Sequence, residues 1–287
     1  MSTVPRQIVL DKSAFDGTKI DALRDFAKLH PLLVSEVLLY ESGTSQRFKD
    51  RQLLSRCRDL LLAGASYCSR TEDLIRWEGQ HSRPFPRLLA DSRRTCGIRL
   101  GPARSDHAFT DEEIAAEQRV GFEYAKAFLL DPVRDLLGMA KTRRSDVPDF
   151  RGLPKDISAR LAAFAATVDH VSFRKLALTQ MPRNWVEDEE KFCLSSEWMA
   201  WQFFRLLDII QREYLYLHQV GGSLREKRAE HDYQDIGYVL LLSRADAIIT
   251  RDRQLVEPLV RVAFPEKDVF SSLEEVPESY RCDWMGD

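Results

Sequence analysis

The sequence is short of the features that mark membrane, secreted and metal-finger proteins. No apolar run approaches the ~18 residues needed to span a bilayer. The first segment, MSTVPRQIVLDKS, has no basic stretch followed by a long apolar one, so no secretion signal is expected. Cysteine is scarce: Cys57, Cys68, Cys96, Cys193 and Cys282 are an odd number, with no C-x-x-C pair among them. That argues against a disulfide framework and a cysteine-built zinc site, and for reduced thiols in a cytoplasm. The six histidines show no H-E-x-x-H spacing. A large positive charge is missing too: the net charge is −3, so the whole surface is no general magnet for nucleic acid. What remains is an ordinary globular composition, 44% hydrophobic and 30% charged over 287 residues. That is enough for one large domain, or a core domain with a substantial insertion.

Strand and helix signals alternate at the two ends of the chain. Gln7–Asp11 is a short apolar run ending in an acid and reads as a buried strand. Lys19–Leu29 has Ile20, Leu23, Phe26 and Ala27 at helical spacing. Pro31–Ser35 reads as a second strand, with Ser35 a natural N-cap for a helix running through Glu41. Near the other end, Asp235–Ser243 reads as helix, Ala245–Asp252 as strand, Glu257–Phe264 as helix and Asp268–Phe270 as a last strand. This order favours an α/β fold with a parallel sheet. Between the ends the signals are helical: Phe48–Ala63, a capping box at Thr110–Glu113, Asp131-Pro132, Asp156–Met181, and Ser195–Val220 stopped by Gly221-Gly222. So long a middle exceeds a normal connection. The expected organisation is a core from 1–64 and 196–287, with a mainly helical insertion over 65–195.

Ligands of open parallel sheets sit at the carboxyl ends of the strands. Asp11 and Asp252 fall where strands reach that edge. Glu41 lies on the helix after the second strand, and Asp235 at the start of the helix before Ile248-Ile249. Each has a plainer reading: a turn residue for Asp11 and Asp252, helix surface for Glu41, an N-cap for Asp235. Together they point to chemistry. Carboxylates held close repel one another and are driven to protonate. A hard divalent cation removes that conflict, and in this setting activates water and stabilises the leaving oxygen of a phosphodiester. Asp232, three residues before Asp235 and on the same helix face, could replace or supplement it.

These pieces resemble the PIN-domain (PIN-like) nucleases. They are a strand ending in Asp11 with Ser13 two residues on, VSEVLLYE ending in Glu41, Asp235 opening an apolar helix, and AIITRD with Thr250 before Asp252. The resemblance covers the two ends of the chain and not the middle, which is longer than in compact members such as the toxin ribonucleases. It implies a five-stranded parallel sheet between helices and Mg²⁺- or Mn²⁺-dependent cleavage of RNA or DNA. Asp11, Glu41, Asp235 and Asp252 would be the catalytic acids and metal ligands, with Asp232 as a further ligand and Ser13 and Thr250 beside the substrate.

From His81 to Arg104 six arginines (Arg83, Arg87, Arg93, Arg94, Arg99, Arg104) face one acid, Asp91. With Lys141, Arg143 and Arg144 they are the densest basic surface in the chain, and Arg93 and Arg94 are its candidates for phosphate contact. The plainer reading is an exposed loop kept soluble by charge. The expected substrate is single-stranded RNA, because a duplex reaches a recessed cluster poorly. Other expected partners are a second copy of the chain or an inhibitory protein, and no membrane. Two rival readings stand beside the nuclease. Phe15-Asp16-Gly17-Thr18 is similar to the haloacid-dehalogenase phosphatases, but Ala14 occupies the position of their nucleophile. A catalytically silent PIN-like module that binds RNA or protein is the non-enzymatic one, against which the retention of all four acids argues.

Overall fold

Ile8, Val9 and Leu10 are fully buried, as a strand covered by helices on both faces must be. They form β1 (Ile8–Leu10), the middle strand of a computed structural model that describes residues 6–44, 52–68, 71–86, 119, 122–142, 148–167 and 169–282. On one side of β1 lie β2 (Leu32–Ser35) and β3 (Ser66–Cys68), and on the other β4 (Ala247–Ile249) and β5 (Asp268–Phe270). The five strands are all parallel, in the order β3-β2-β1-β4-β5. Val9 stands opposite Leu33 on one side and Ile248 on the other.

The helices follow from this order. Four lie between the first three strands: α1 (Lys12–Gly17), α2 (Ile20–Leu29), α3 (Glu36–Thr44) and α4 (Gln52–Leu62). Both α2 and α3 pack on α4. Ser35 caps α3 as expected, its hydroxyl accepting the Leu38 N–H at 3.2 Å. After β3 come α5 (Thr71–His81) and a π-helical turn (Lys126–Leu130) that runs straight into α6 (Asp131–Thr142). Then follow α7 (Ile157–Ala165), α8 (His170–Gln180), α9 (Met199–Gln219), α10 (Glu226–Leu241) and α11 (Val256–Ala263). The chain steps one way from β1 to β3 and the other way through β4 to β5. Right-handed crossovers therefore put the first group of helices on one face and the last on the opposite face. The spine of that second layer is α9, apolar on most sides because α5, α6, α7, α8 and α10 all pack on it. No helix among the described residues is long and apolar enough to cross a membrane.

Three expectations need correction. The insertion expected over 65–195 starts too early, because Ser66–Cys68 is a strand paired with β2. Three residues at the sheet edge, with Ser66 and Tyr67 half-exposed, carry no apolar run to announce a strand. Nor is the middle of the chain set apart: Leu161 and Phe164 of α7 share one contiguous buried cluster with Ile8 and Ile248, and α7 packs on α11. The single helix expected over Asp156–Met181 is two helices, because Asp169 starts a new one by accepting the N–H groups of Val171 and Ser172. The capping box at Thr110–Glu113 lies outside the described residues.

Candidate active site at the carboxyl edge of the sheet

The strand order reverses between β1 and β4, which opens the crevice where parallel sheets take their ligands. Asp11 leaves β1 into this crevice and is buried. Its Oδ2 accepts the hydroxyl of Thr250 at 2.6 Å and that of Ser13. Ser13 Oγ in turn accepts the Arg251 N–H at 2.8 Å, and Thr250 Oγ1 the Asp252 N–H at 3.0 Å. The ends of β1 and β4 are thus laced together through hydroxyl groups, with Ser13 and Thr250 turned to Asp11. Asp252 is held by its own loop, Oδ1 accepting the N–H groups of Gln254 at 2.7 Å and Leu255 at 2.9 Å, an Asx-type turn leading into α11.

Glu41 reaches the same edge from α3. It is buried, its Oε2 accepts the Tyr238 hydroxyl of α10 at 2.6 Å, and Lys12 Nζ stands 3.8 Å from Oε1. Asp235 lies one turn before Tyr238 on α10 and is half-buried. The expectation that Asp235 opens its helix is wrong. The helix begins at Glu226, so an N-cap role is excluded. Glu226–Gln234 is too polar to announce those turns; they become helical because Ala229, Asp232 and Gln234 are buried against neighbouring elements.

Burial and like charge act together here. Burial pushes the Asp11 carboxyl up, the hydrogen bonds from Ser13 and Thr250 oppose it, and the charge of Asp252 adds to it. Glu41 is pushed up to about 7 by burial, partly offset by Lys12 and by Tyr238, with Asp11 and Asp16 adding to the rise. Asp235 is driven well above the usual carboxylate range, first by burial and then by Glu41, Asp11, Asp252 and Asp232. The charges that act on Asp235 most strongly are all negative. The charges of Glu41, Asp11 and Asp252 thus all act on Asp235 at the sheet end.

Asp232, expected as a further metal ligand, is tied elsewhere. Its Oδ2 accepts the Tyr214 hydroxyl of α9 at 2.7 Å and the Arg228 Nε–H at 3.3 Å, and it is the weakest of the four acids acting on Asp235. It fastens α10 to α9 and pairs with a cation. Arg93 and Arg94 lie outside the described residues, as do Arg87, Arg99, Arg104, Arg143 and Arg144. Arg83 lies with its guanidinium 5.1 Å over the Trp77 ring. At the Asp16-Gly17 sequence, Ala14 is a buried helical residue, so no nucleophile precedes it.

Two residues of this edge escape the sequence reading. Lys12 directly follows Asp11, and Tyr238 lies three residues beyond Asp235 on the same helix face, a spacing that could have singled it out. Among the described residues no group of three or more His, Cys, Asp or Glu side chains is arranged to hold a metal ion. Compared with protein-family models, with curated proteins and with solved structures, the chain gives no match in any of the three.

Proposed function

We propose that the chain is a Mg²⁺- or Mn²⁺-dependent nuclease of the PIN-like kind, hydrolysing phosphodiester bonds in single-stranded RNA. The observation that carries this reading is the set of acids at the switch point: burial raises Asp11, Glu41 and Asp235, and the charge of Asp252 adds to Asp11, that of Asp11 to Glu41, and those of Glu41, Asp11 and Asp252 to Asp235. A folded protein keeps such a conflict at a cost, and hard oxygen donors of this kind suit a small divalent cation. When bound, the ion would lower the pKa of an attacking water and stabilise the leaving oxygen. Asp11, Glu41, Asp235 and Asp252 would hold it. Ser13 and Thr250 fix the Asp11 carboxylate, Tyr238 fixes that of Glu41, and the Gln254 and Leu255 N–H groups fix that of Asp252. The donor chemistry fits; among the described residues the side chains as they stand do not close a coordination shell, and Lys12 brings a positive charge to Glu41. That observation favours a second reading, a catalytically silent module of the same fold that binds RNA or protein.

The two readings separate in one experiment. Cleavage of a labelled single-stranded RNA should appear with Mn²⁺, vanish with EDTA, and fall to background in Asp11→Asn and Asp252→Asn while both variants keep the parent's circular dichroism. Calorimetric titration should show Mn²⁺ binding in the parent and its loss in Asp11→Asn. Unchanged cleavage in both variants, or no Mn²⁺ binding by the parent, would remove the nuclease and leave the binding module.

A further inference from the structure

A cavity of about 310 Å³ opens between α3, α5 and α10. Glu36, Tyr40, Gln234 and Gly237 line it, and their near neighbours in the chain, Glu41, Asp235 and Tyr238, belong to the carboxylate edge. Its walls are aromatic. The rings of Tyr124 and Tyr233 lie 6.3 Å apart and 10° from parallel, Phe128 stacks on both, and Trp185 and Phe203 complete the lining. Tyr124 is 40% exposed, so one large ring is open to a ligand. The π-helical turn Lys126–Leu130 begins just beyond it, and such turns concentrate at functional sites.

The polar groups decide what the cavity can hold. Its acids are engaged: Glu72 accepts the Tyr233 hydroxyl at 2.9 Å and that of Thr71 at 3.2 Å, Asp73 faces Arg76 at 3.4 Å, and Glu36 accepts the Tyr67 hydroxyl. The Arg76 guanidinium already lies 4.3 Å over the Trp185 ring, so the place of a cation against that ring is filled from within. Gln234 differs. It is 8% exposed, it lines the cavity, and its carboxamide has no hydrogen-bond partner among the described residues. Its amide oxygen and nitrogen reach the open space of the cavity, where they offer one acceptor and two donors in one plane.

We infer that this cavity is a nucleobase subsite, taking an amino-bearing base such as adenine in preference to uracil; as a substrate subsite it rests on the nuclease reading above. A flat heteroaromatic ring stacks on tyrosine and tryptophan whatever its sequence context. The Gln234 carboxamide can accept from the exocyclic amine of adenine while donating to a ring nitrogen. Uracil would need the amide turned over, which sets its carbonyl oxygens against the surrounding carboxylates, so the amide and the carboxylates make the choice together. Adenine's amine carries a second N–H for them, whereas uracil presents two carbonyl oxygens that they repel.

The test is equilibrium binding of labelled single-stranded oligoadenylate and oligouridylate to the full chain in EDTA, read by fluorescence anisotropy. The parent should bind oligoadenylate about tenfold tighter. Gln234→Met, close in shape but without the amide, should lose that preference, chiefly through weaker binding of oligoadenylate. Should that variant unfold, saturation-transfer NMR on the parent should still show adenosine ring protons receiving saturation and uridine ring protons not. Equal binding of the two oligonucleotides by the parent, a preference retained in Gln234→Met, or equal saturation of both nucleosides would overturn the assignment. None of these readouts needs metal or cleavage. A preference without nuclease activity would remove the nuclease alone, and cleavage without preference would remove the subsite alone.

Discussion

Glu213 and Asp235 sit on neighbouring helices, α9 and α10, and meet opposite surroundings. Glu213 is buried and receives two hydrogen bonds from Arg160, Nε at 2.8 Å and Nη2 at 2.6 Å. Arg160 also donates to the carbonyl oxygens of Pro154 and Lys155 and lies 4.2 Å over the Tyr216 ring. Glu78, fully buried, is matched in the same way: it accepts the N–H groups of Phe85, Met199 and Ala200 at 2.9–3.0 Å and so caps α9. At the sheet's carboxyl edge the pattern inverts, since Asp235 is raised by burial and then by Glu41, Asp11 and Asp252, and among the described residues Lys12 is the one cation paired with Glu41. Where the chain pairs its buried carboxylates, as at Glu213 and Glu78, it is building the helical layer. Where it leaves them in conflict, stability is given up at a place that a ligand can repay, which is how functional sites usually break the local rules.

The largest effect should come from breaking the matched side. Glu213→Ala strands a buried guanidinium and should lower the unfolding free energy by about 3–5 kcal/mol, measured by urea denaturation. A loss under ~1 kcal/mol would show that the pair contributes little and blur the contrast.

On the conflicted side the sign reverses. Glu41 has a folded pKa of about 7 against an ordinary 4.5, so the folded state favours its protonated form. Its penalty is absent below pH 4.5 and grows as pH rises through about 7. The metal-free protein should lose on the order of 3 kcal/mol across that window, and Glu41→Gln should flatten the loss. Urea midpoints in EDTA across that range measure it; the same slope in parent and variant would assign the conflict to another group.

An effect of the same sign is expected at Asp235. Asp235→Asn removes one of the mutually repelling charges and should raise stability at pH 8 in EDTA, read as a higher urea midpoint. A destabilised variant would mean that the carboxylate holds the edge together and is not in conflict there. Smallest is the contribution of the basic stretch. Changing Arg93 and Arg94 to Ala together should reduce the salt slope of single-stranded RNA binding by about 1 to 2 and leave turnover at saturation nearly unchanged. Equal salt slopes would free that stretch for a partner protein.

How much was legible before the fold was known differs from element to element. β1, β2 and β4 announced themselves because central parallel strands are buried on both faces and need unbroken apolar runs, as Ile8–Leu10 and Ala247–Ile249 supply. β3 did not, because an edge strand with half-exposed Ser66 and Tyr67 needs no such run. Asp11 and Asp252 were legible from their places just after β1 and β4. Asp235 was legible as an acid but misplaced along its helix, since the first turns of α10 are polar and take their shape from packing.

By itself the sequence determined the alternation of strands and helices and the carboxylates at strand ends, because hydrophobic period and chain order are local properties. Only the tertiary structure decided which of Asp232 and Asp235 joins the edge: Tyr214, on a different helix, claims Asp232 and leaves Asp235 to the other acids. It also decided that Tyr238 grips Glu41 and that Gln234 lines a cavity with no side-chain partner among the described residues. Those outcomes depend on which helices meet, and hydrogen bonds between residues nearly two hundred positions apart, such as Tyr238 and Glu41, leave no periodic trace in either segment.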